Sequence, residues 1–455
     1  MGKLWYLIGM VGDAIFGSLR RFAASLRRRS GIPGYSMAVV HRGRVHAAAG
    51  GVASIETGVP ASPATLFQIG SITKPMVATL ALRLASRRRI SLDTPVRRWI
   101  PEMRLRSSNA LRRISLRHLL THTGGWAGDY FDDTGRGEDA LAVMVGRLNR
   151  LEQLTEPGAV WAYNNAGYYL VGRFVEILSG KPLDRALAED LFSPLGMRSS
   201  FVLPEDVIAR DYAWGHNVSK RRAIVARPWG MTRSAHAVGG VVASVEDLIR
   251  FAQGHLSGGI LNRRLSNAAH ATSVQAGCGI DAMGLGWFIN ERGGERCVWH
   301  SGATNGQMAH LCLVPKRGFA AAVLTNANIG GDFCADVIHR ATRDFLGMAE
   351  SRRSPLRLSR RRLSEYVGTY VAQMSDRILR MSGGSLMMVT VTKGGFPTPA
   401  SPPLPPPPPI KLSFFDEGGI FWGIGGPFRE GEFLRDGRGR VRWLRISGRL
   451  HRKSY

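Results

Sequence analysis

The spacing of apolar and polar positions changes along the chain. YSMAVVHRGRVHAAAGG (residues 35–51) contains two apolar runs broken at Arg42-Gly43, which predicts two strands joined by a tight turn. In FQIGSITKPMVATLALRLA (67–85), Met76, Val77, Leu80, Leu82 and Leu84 follow the pattern of a buried or half-buried helix. Pro75 has no N–H to donate and is tolerated only in a first turn, so this helix starts near Ser71. Helical periodicity then dominates to about residue 255, punctuated by THTGGW, EPGAVWAYNN and AVGGVVAS. From residue 284 the pattern becomes GLGWFIN, RCVWHSG, QMAHLCLVP and FAAAVLTNA, four consecutive strand candidates with a hairpin turn at Pro315-Lys316-Arg317-Gly318. FCADVIHRATRDFLG returns to a helix. Strands that flank a mainly helical middle predict an α/β sandwich with a helical insertion over residues 31–349.

Residues 350–362, ESRRSPLRLSRRR, read as a basic linker. Beyond it, YVGTY, ILRMSGGSLMMVTV, GIFWGIG and RGRVRWLRISG are short strand candidates separated by turn glycines, which predicts a separate small C-terminal β domain over 363–455. The proline run at 397–409 cannot be an interior strand and reads as a polyproline excursion from one loop. The glycines of GIGG (423–426) are turn residues and not a dinucleotide loop, because no β-α unit follows. At the other end, residues 1–30 combine an apolar run, broken by Asp13, with a cluster of arginines. No small-x-small cleavage site precedes those arginines, and the run is too short and broken to span a bilayer. An amphipathic helix packed on the domain is expected; one lying on an anionic membrane surface is the alternative.

Composition adds one unusual feature. The 455 residues carry 61 Lys and Arg against 34 Asp and Glu, a formal charge of +27. The excess lies in short runs, Arg27–Arg29, Arg87–Arg89, Arg352–Arg362 and the last twenty residues, with no nucleic-acid module around them. It therefore reads as a solvated basic surface and not as a nucleic-acid site; an anionic lipid or polymer remains the alternative partner. The four cysteines, Cys278, Cys297, Cys312 and Cys334, have no C-x-x-C spacing and fall within predicted strands and a helix. Free buried thiols are expected, and the compartment stays open.

The chemistry starts from Ser71 and Lys74. One turn apart at a helix start, they share a face at the positive end of the helix. A serine hydroxyl is a weak nucleophile until a base takes its proton, and a lysine kept neutral by burial can be that base. WAYNNAG (161–167) then presents Tyr163 and Asn165 on a loop entering the next helix, a proton-handling phenol beside an amide able to position a carbonyl. WHSGATNG (299–306) ends a strand candidate with His300 and Gly302, where a glycine lets substrate approach the backbone and the next N–H, that of Ala303, can face an oxyanion. His118 and His122 stand at i and i+4 but lack a third ligand or an H-E-x-x-H pattern, so no metal site is expected, and no cofactor.

Ser71-x-x-Lys74, Tyr163-x-Asn165 and His300-x-Gly302, in that order, resemble the beta-lactamase-related serine hydrolases: class C beta-lactamases, serine DD-peptidases, lactamase-like esterases and D-aminopeptidases. SLRHLLTHTGG, LTEPGAVWAYNNAGYYLVG, LFSPLGM and AVGGVVASVEDLIRF match as well, so the likeness spans about residues 32–345. It implies a beta-lactamase-like sandwich, an antiparallel sheet flanked by helices plus a helical domain, and a small appended β domain. It also implies roles: Ser71 as the acylated nucleophile, Lys74 and Tyr163 as the general-base and acid pair, Asn165 as a substrate-binding amide, and the N–H groups of Ser71 and Ala303 as the oxyanion hole. Class C beta-lactamases carry Lys-Thr-Gly where this chain has His300-Ser301-Gly302, so the substrate carboxylate loses a fixed cation. Small esters are therefore expected ahead of amides, D-peptides and lactams. The rival from another class is a non-catalytic binding or cell-envelope protein on the same fold.

Overall fold

The computed structural model describes residues 2–349, 354–398, 400–403, 405–422 and 429–454, with side chains from Gly12 onward. The tetrad 350–353 of the basic linker and the GIGG glycines lie outside the described residues. At the centre is an eight-stranded antiparallel sheet in the order Arg44–Gly51, Gly34–His41, Phe319–Thr325, Gln307–Val314, Glu295–Thr304, Phe288–Arg292, Ile280–Met283, Val274–Gly277. The first strand therefore pairs with the last, Tyr35 opposite Thr325, and the chain's two ends close one sheet around the helical middle.

Side chains alternate across this sheet because the strand period is two. Ala38, Val40, Leu311, Leu313, Ala320, Ala322 and Leu324 face one core, which the helices Thr73–Arg87, Asn165–Ser179 and Val245–Ser257 complete. Met37, Val39, Cys312, Val314, Ala321 and Val323 face a second core, covered by the helix Gly330–Leu346 and the N-terminal helix Gly2–Ser30. In that N-terminal helix Leu19 and Ala23 are fully buried, so its described part packs on the domain. Among the described residues no helix is long and apolar enough to cross a membrane. All four cysteines are free and buried.

Two sheet strands escape a reading by pattern. Val274–Gly277 and Ile280–Met283 are only four residues each, too short for alternation to register, and they turn at Cys278 (φ 58°) and Gly279 (φ 78°). Ser71 also sits slightly outside the expected helix: Gly70–Ile72 is a 3₁₀ turn, and the α-helix proper begins at Thr73. Pro75 is still in that first turn, as its missing N–H requires.

Downstream, eight strands from Gly368–Val371 to Arg449–Ser454 form a closed barrel, sealed where Thr369 pairs with Ser454. Closure leaves no free edge, and Leu379, Leu386, Phe414, Ile420, Phe433 and Leu444 fill the inside. The residues ahead of it already belong to it: Leu356 N–H donates to Phe414 O at 2.6 Å, and Arg360–Ser364 is a short helix. The proline-rich segment leaves the barrel between Ser385–Thr392 and Ile410–Phe414.

Candidate active site

Ser71 stands on the 3₁₀ turn with its hydroxyl facing a large cavity between the sheet domain and the barrel. That turn is pressed against the strand Glu295–Thr304. A Cβ on Gly302 would lie 1.9 Å from Ile69 O, and one on Gly70 (φ 51°) would lie 2.6 Å from Ala303 N, so only glycines fit here. The contact brings the backbone of Ser71 and Ala303 to one place.

Lys74, on the following helix, is fully buried. Its Nζ donates to Ser71 Oγ at 3.0 Å and to Val238 O at 2.7 Å. Burial pushes its pKa well below the usual lysine range, with the Arg449 charge acting in the same direction and Asp129 opposing. The amine therefore tends toward the neutral, proton-accepting form. Its Nζ is 5.1 Å from the centre of the Tyr163 ring.

Tyr163 lies on the loop ahead of the Asn165–Ser179 helix, whose N-cap is Asn164, the side chain accepting from Gly167 N–H at 2.8 Å. Burial raises the Tyr163 phenol to about 12, against the opposing pull of the Arg449 charge and a hydrogen bond with Ser71. It is a proton donor and not a standing phenolate. Asn165 is buried, its Nδ2 donating to Asp129 Oδ1 at 2.7 Å. His300 is stacked on Phe288, ring centres 4.4 Å apart. Its Nδ1 donates to Ser301 O at 2.6 Å, which leaves Nε2 as an acceptor, buried and unpartnered. Burial, and secondarily the Lys74 charge, push its pKa down to about 3, so it is neutral at ordinary pH. All seven expected residues thus gather around one cavity except Lys74, which lies just beneath its floor.

His118 and His122 do not approach each other as ligands. His118 Nδ1 accepts from Ser115 N–H at 3.2 Å in a capping box, whereas His122 packs on Tyr163 with ring centres 4.5 Å apart. Among the described residues no group of side chains could hold a metal ion.

Reading by motif missed the barrel's contribution. The two-residue hairpin turn Ser447-Gly448, φ 50° and 75°, projects into the site. Gly448 O accepts from Tyr163 N–H at 2.7 Å, and a Cβ on Gly448 would lie 2.9 Å from both Trp161 and Tyr163. Arg449 follows, its guanidinium carbon 4.6 Å from the centre of the Tyr163 ring, with Nε and Nη2 on the Asp129 carboxylate at 3.1 and 3.3 Å. Arg445, buried, donates to Trp161 O, to Ala276 O at 2.6 Å and to Glu432 Oε1 at 2.7 Å. The arginine-rich tail looked like surface charge because no spacing ties it to residues some 300 positions earlier.

A sequence model of the Beta-lactamase family matches residues 19–342. Penicillin-binding protein 4 of Amycolatopsis lactamdurans is 36% identical over 342 residues, covering 72% of this chain and 89% of that protein. Esterase EstB of Burkholderia gladioli is 31% identical over 355 residues, covering 68% and 90%. Among solved structures, the crystal structure of SurE with D-Leu superposes with a TM-score of 0.76 at 24% identity, covering 98% of this chain and 100% of that one, a likeness of fold that includes the barrel.

Proposed function

This chain belongs to the beta-lactamase family and is a serine hydrolase, and from that premise we propose that it acts through a covalent acyl-enzyme at Ser71, on small esters first and amides second. The observation that carries this reading is the 3.0 Å approach of a buried lysine amine to the Ser71 hydroxyl. In the proposed reaction Lys74 takes the proton of Ser71 as Oγ attacks the substrate carbonyl. The N–H groups of Ser71 and Ala303 face the resulting oxyanion, and Tyr163 delivers a proton to the leaving oxygen or nitrogen. Water then attacks the acyl carbonyl in the reverse sense, returning Ser71.

The preference for esters rests on charge. His300 is neutral, and Arg449 is neutralised by Asp129, so neither offers a free cation to a carboxylate beside the scissile bond. The relative named as a penicillin-binding protein supports D-peptide or lactam amides as the second reading. A fluorophosphonate probe separates both from a non-catalytic binder. Intact-mass and peptide analysis should find one adduct on Ser71 and none in Ser71→Ala. A folded wild-type protein that takes up no probe would end the acyl-enzyme reading.

A further inference from the structure

The cavity that begins at Ser71 is larger than a small ester needs. It measures about 660 Å³, and its lining includes Arg377 on the barrel strand Ser375–Ser382. Much of the lining is apolar: Phe131 and Phe396 meet edge to face with centres 5.0 Å apart, and Met231 and Met374 line the cavity as well.

Charge along the lining is almost completely paired. Asp129 is held by Arg449, Asp332 by Arg429 at 2.8 Å, and Lys393 by Asp376 at 2.6 Å. Asp376 also accepts from Ala372 N–H at 3.3 Å, so Arg377's acidic chain neighbour is already engaged. Arg377 is the exception among the described residues. Its Nη1 donates to Thr390 Oγ1, opposite it in the barrel, while its Nε is buried with no hydrogen-bond partner. Next to it, His451 Nδ1 donates to Arg449 O at 3.2 Å, and Nε2 is 3.4 Å from Ser375 Oγ. Burial and the nearby Arg377 charge hold that histidine neutral, down to about 4, so it does not compete for an anion. Arg377 is half-buried, and a partly desolvated cation with no carboxylate paired to it is stabilised when an anion meets it.

We propose that Arg377 is an anion subsite that binds a carboxylate carried by the substrate at the far end of an apolar chain, remote from the scissile carbonyl. With Nη1 engaged and Nε buried, the remaining guanidinium nitrogen, Nη2, supplies the N–H donors and positive charge that a carboxylate oxygen accepts. The proposal rests on Ser71 acylation for its turnover readout, but not for its binding readout. The substrate class is then an ester or amide with an apolar spacer ending in a carboxylate, in contrast to compounds whose carboxylate lies beside the reacting bond.

The test uses the full chain and two series: p-nitrophenyl monoesters of straight-chain dicarboxylic acids, and butyrate esters of ω-hydroxy acids. Each is compared with the analogue whose free carboxylate is a primary amide. At the best chain length in one series, kcat/KM for the carboxylate should exceed that for the amide roughly ten- to a hundredfold, the scale of a charge-assisted pair. Arg377→Gln should bring that ratio close to one, and Arg377→Lys should retain part of it. Calorimetric binding of the best-length dicarboxylic monoamide to Ser71→Ala, with and without Arg377→Gln, gives the same answer without turnover. Ratios near one in both series for the wild type would overturn the proposal. So would a preference that survives Arg377→Gln and disappears in Arg449→Gln. Absence of ester turnover together with Arg377-dependent binding would refute the acyl-enzyme reading while supporting this one.

Discussion

The two walls of the cavity were built in different ways. On the sheet side, Ser71 and Lys74 are one turn apart, Tyr163 precedes a helix cap, and His300 and Gly302 alternate on one strand. Each group is aimed by its own local element, and only the docking of three segments is left to the fold. On the barrel side, Arg377, Gly448 and Arg449 acquire a role only because the barrel packs against the Trp161–Tyr163 loop. In the proposed reaction the sheet wall holds the reacting atoms, and the barrel wall supports and selects. If that division is right, damage to the two walls should differ in kind as well as in size.

The largest effect belongs to the sheet wall. Lys74→Ala and Tyr163→Phe should each lower kcat on the order of 10² or more, the scale of a positioned acid or base, with KM for a neutral ester little changed. Steady-state kinetics with p-nitrophenyl butyrate checks this, and wild-type kcat in either variant would remove that residue from the mechanism.

Next comes a barrel-wall variant that never touches Ser71. Gly448→Val puts a branched side chain on a left-handed turn and within 2.9 Å of Trp161 and Tyr163. Displacing Tyr163 should cost about ten- to a hundredfold in acylation rate, because small misplacements of a catalytic group are expensive. Circular dichroism should show an unchanged fold. Unchanged acylation would mean that the turn merely lies near the site. A chain ending at Ala349 pushes the comparison further. The sequence pattern treats residues 363–455 as a separate unit, yet removing them deletes the Gly448, Arg445 and Arg449 contacts at once. That chain should therefore label at Ser71 more slowly than Gly448→Val.

A smaller effect concerns selectivity. His300→Lys introduces a cation where the neutral imidazole now stands, and should raise kcat/KM for a penicillin relative to a short neutral ester by roughly tenfold. A wild-type enzyme that already favours penicillins over every neutral ester would show that His300 does not govern the choice.

The smallest effect is on stability. In the folded protein the Lys74 pKa lies well below its ordinary 10.5, so the unfolded chain holds a proton that the native state releases between those two values. Wild-type stability from this group therefore rises with pH across that window and is lowest below it. Lys74→Met lacks the penalty, so the gap between its melting temperature and the wild type's should be most in its favour at the low-pH end of that window and narrow as pH rises toward 10. A gap that widens with pH would contradict a depressed lysine.

How far this was legible follows from particular residues. The central sheet was readable where strands ran five residues or more, as in Phe288–Arg292 and Phe319–Thr325, and unreadable at Val274–Gly277 and Ile280–Met283, where four residues cannot show a period. His122 was weighed as half of a metal pair and instead packs under Tyr163, because a left-handed backbone at φ 56° turns it away from the face His118 occupies. Asp129 carries no motif, yet it joins Asn165 to Arg449, the latter 320 residues further along the chain than Asp129 itself.

By itself the sequence determined that Ser71 and Lys74, the proposed reacting pair, stand together and which element carries them. A serine and a lysine three residues apart at a proline-marked helix start must share a face. That is a consequence of helix geometry, and it holds whatever lies further along the chain. Only the tertiary structure decided how deeply Lys74 is buried, and hence its readiness to accept a proton. It also decided which of 61 basic residues enter the cavity and which of those remain unpaired. Desolvation and charge pairing depend on atoms brought together from hundreds of residues apart, and no local pattern encodes which of them will meet.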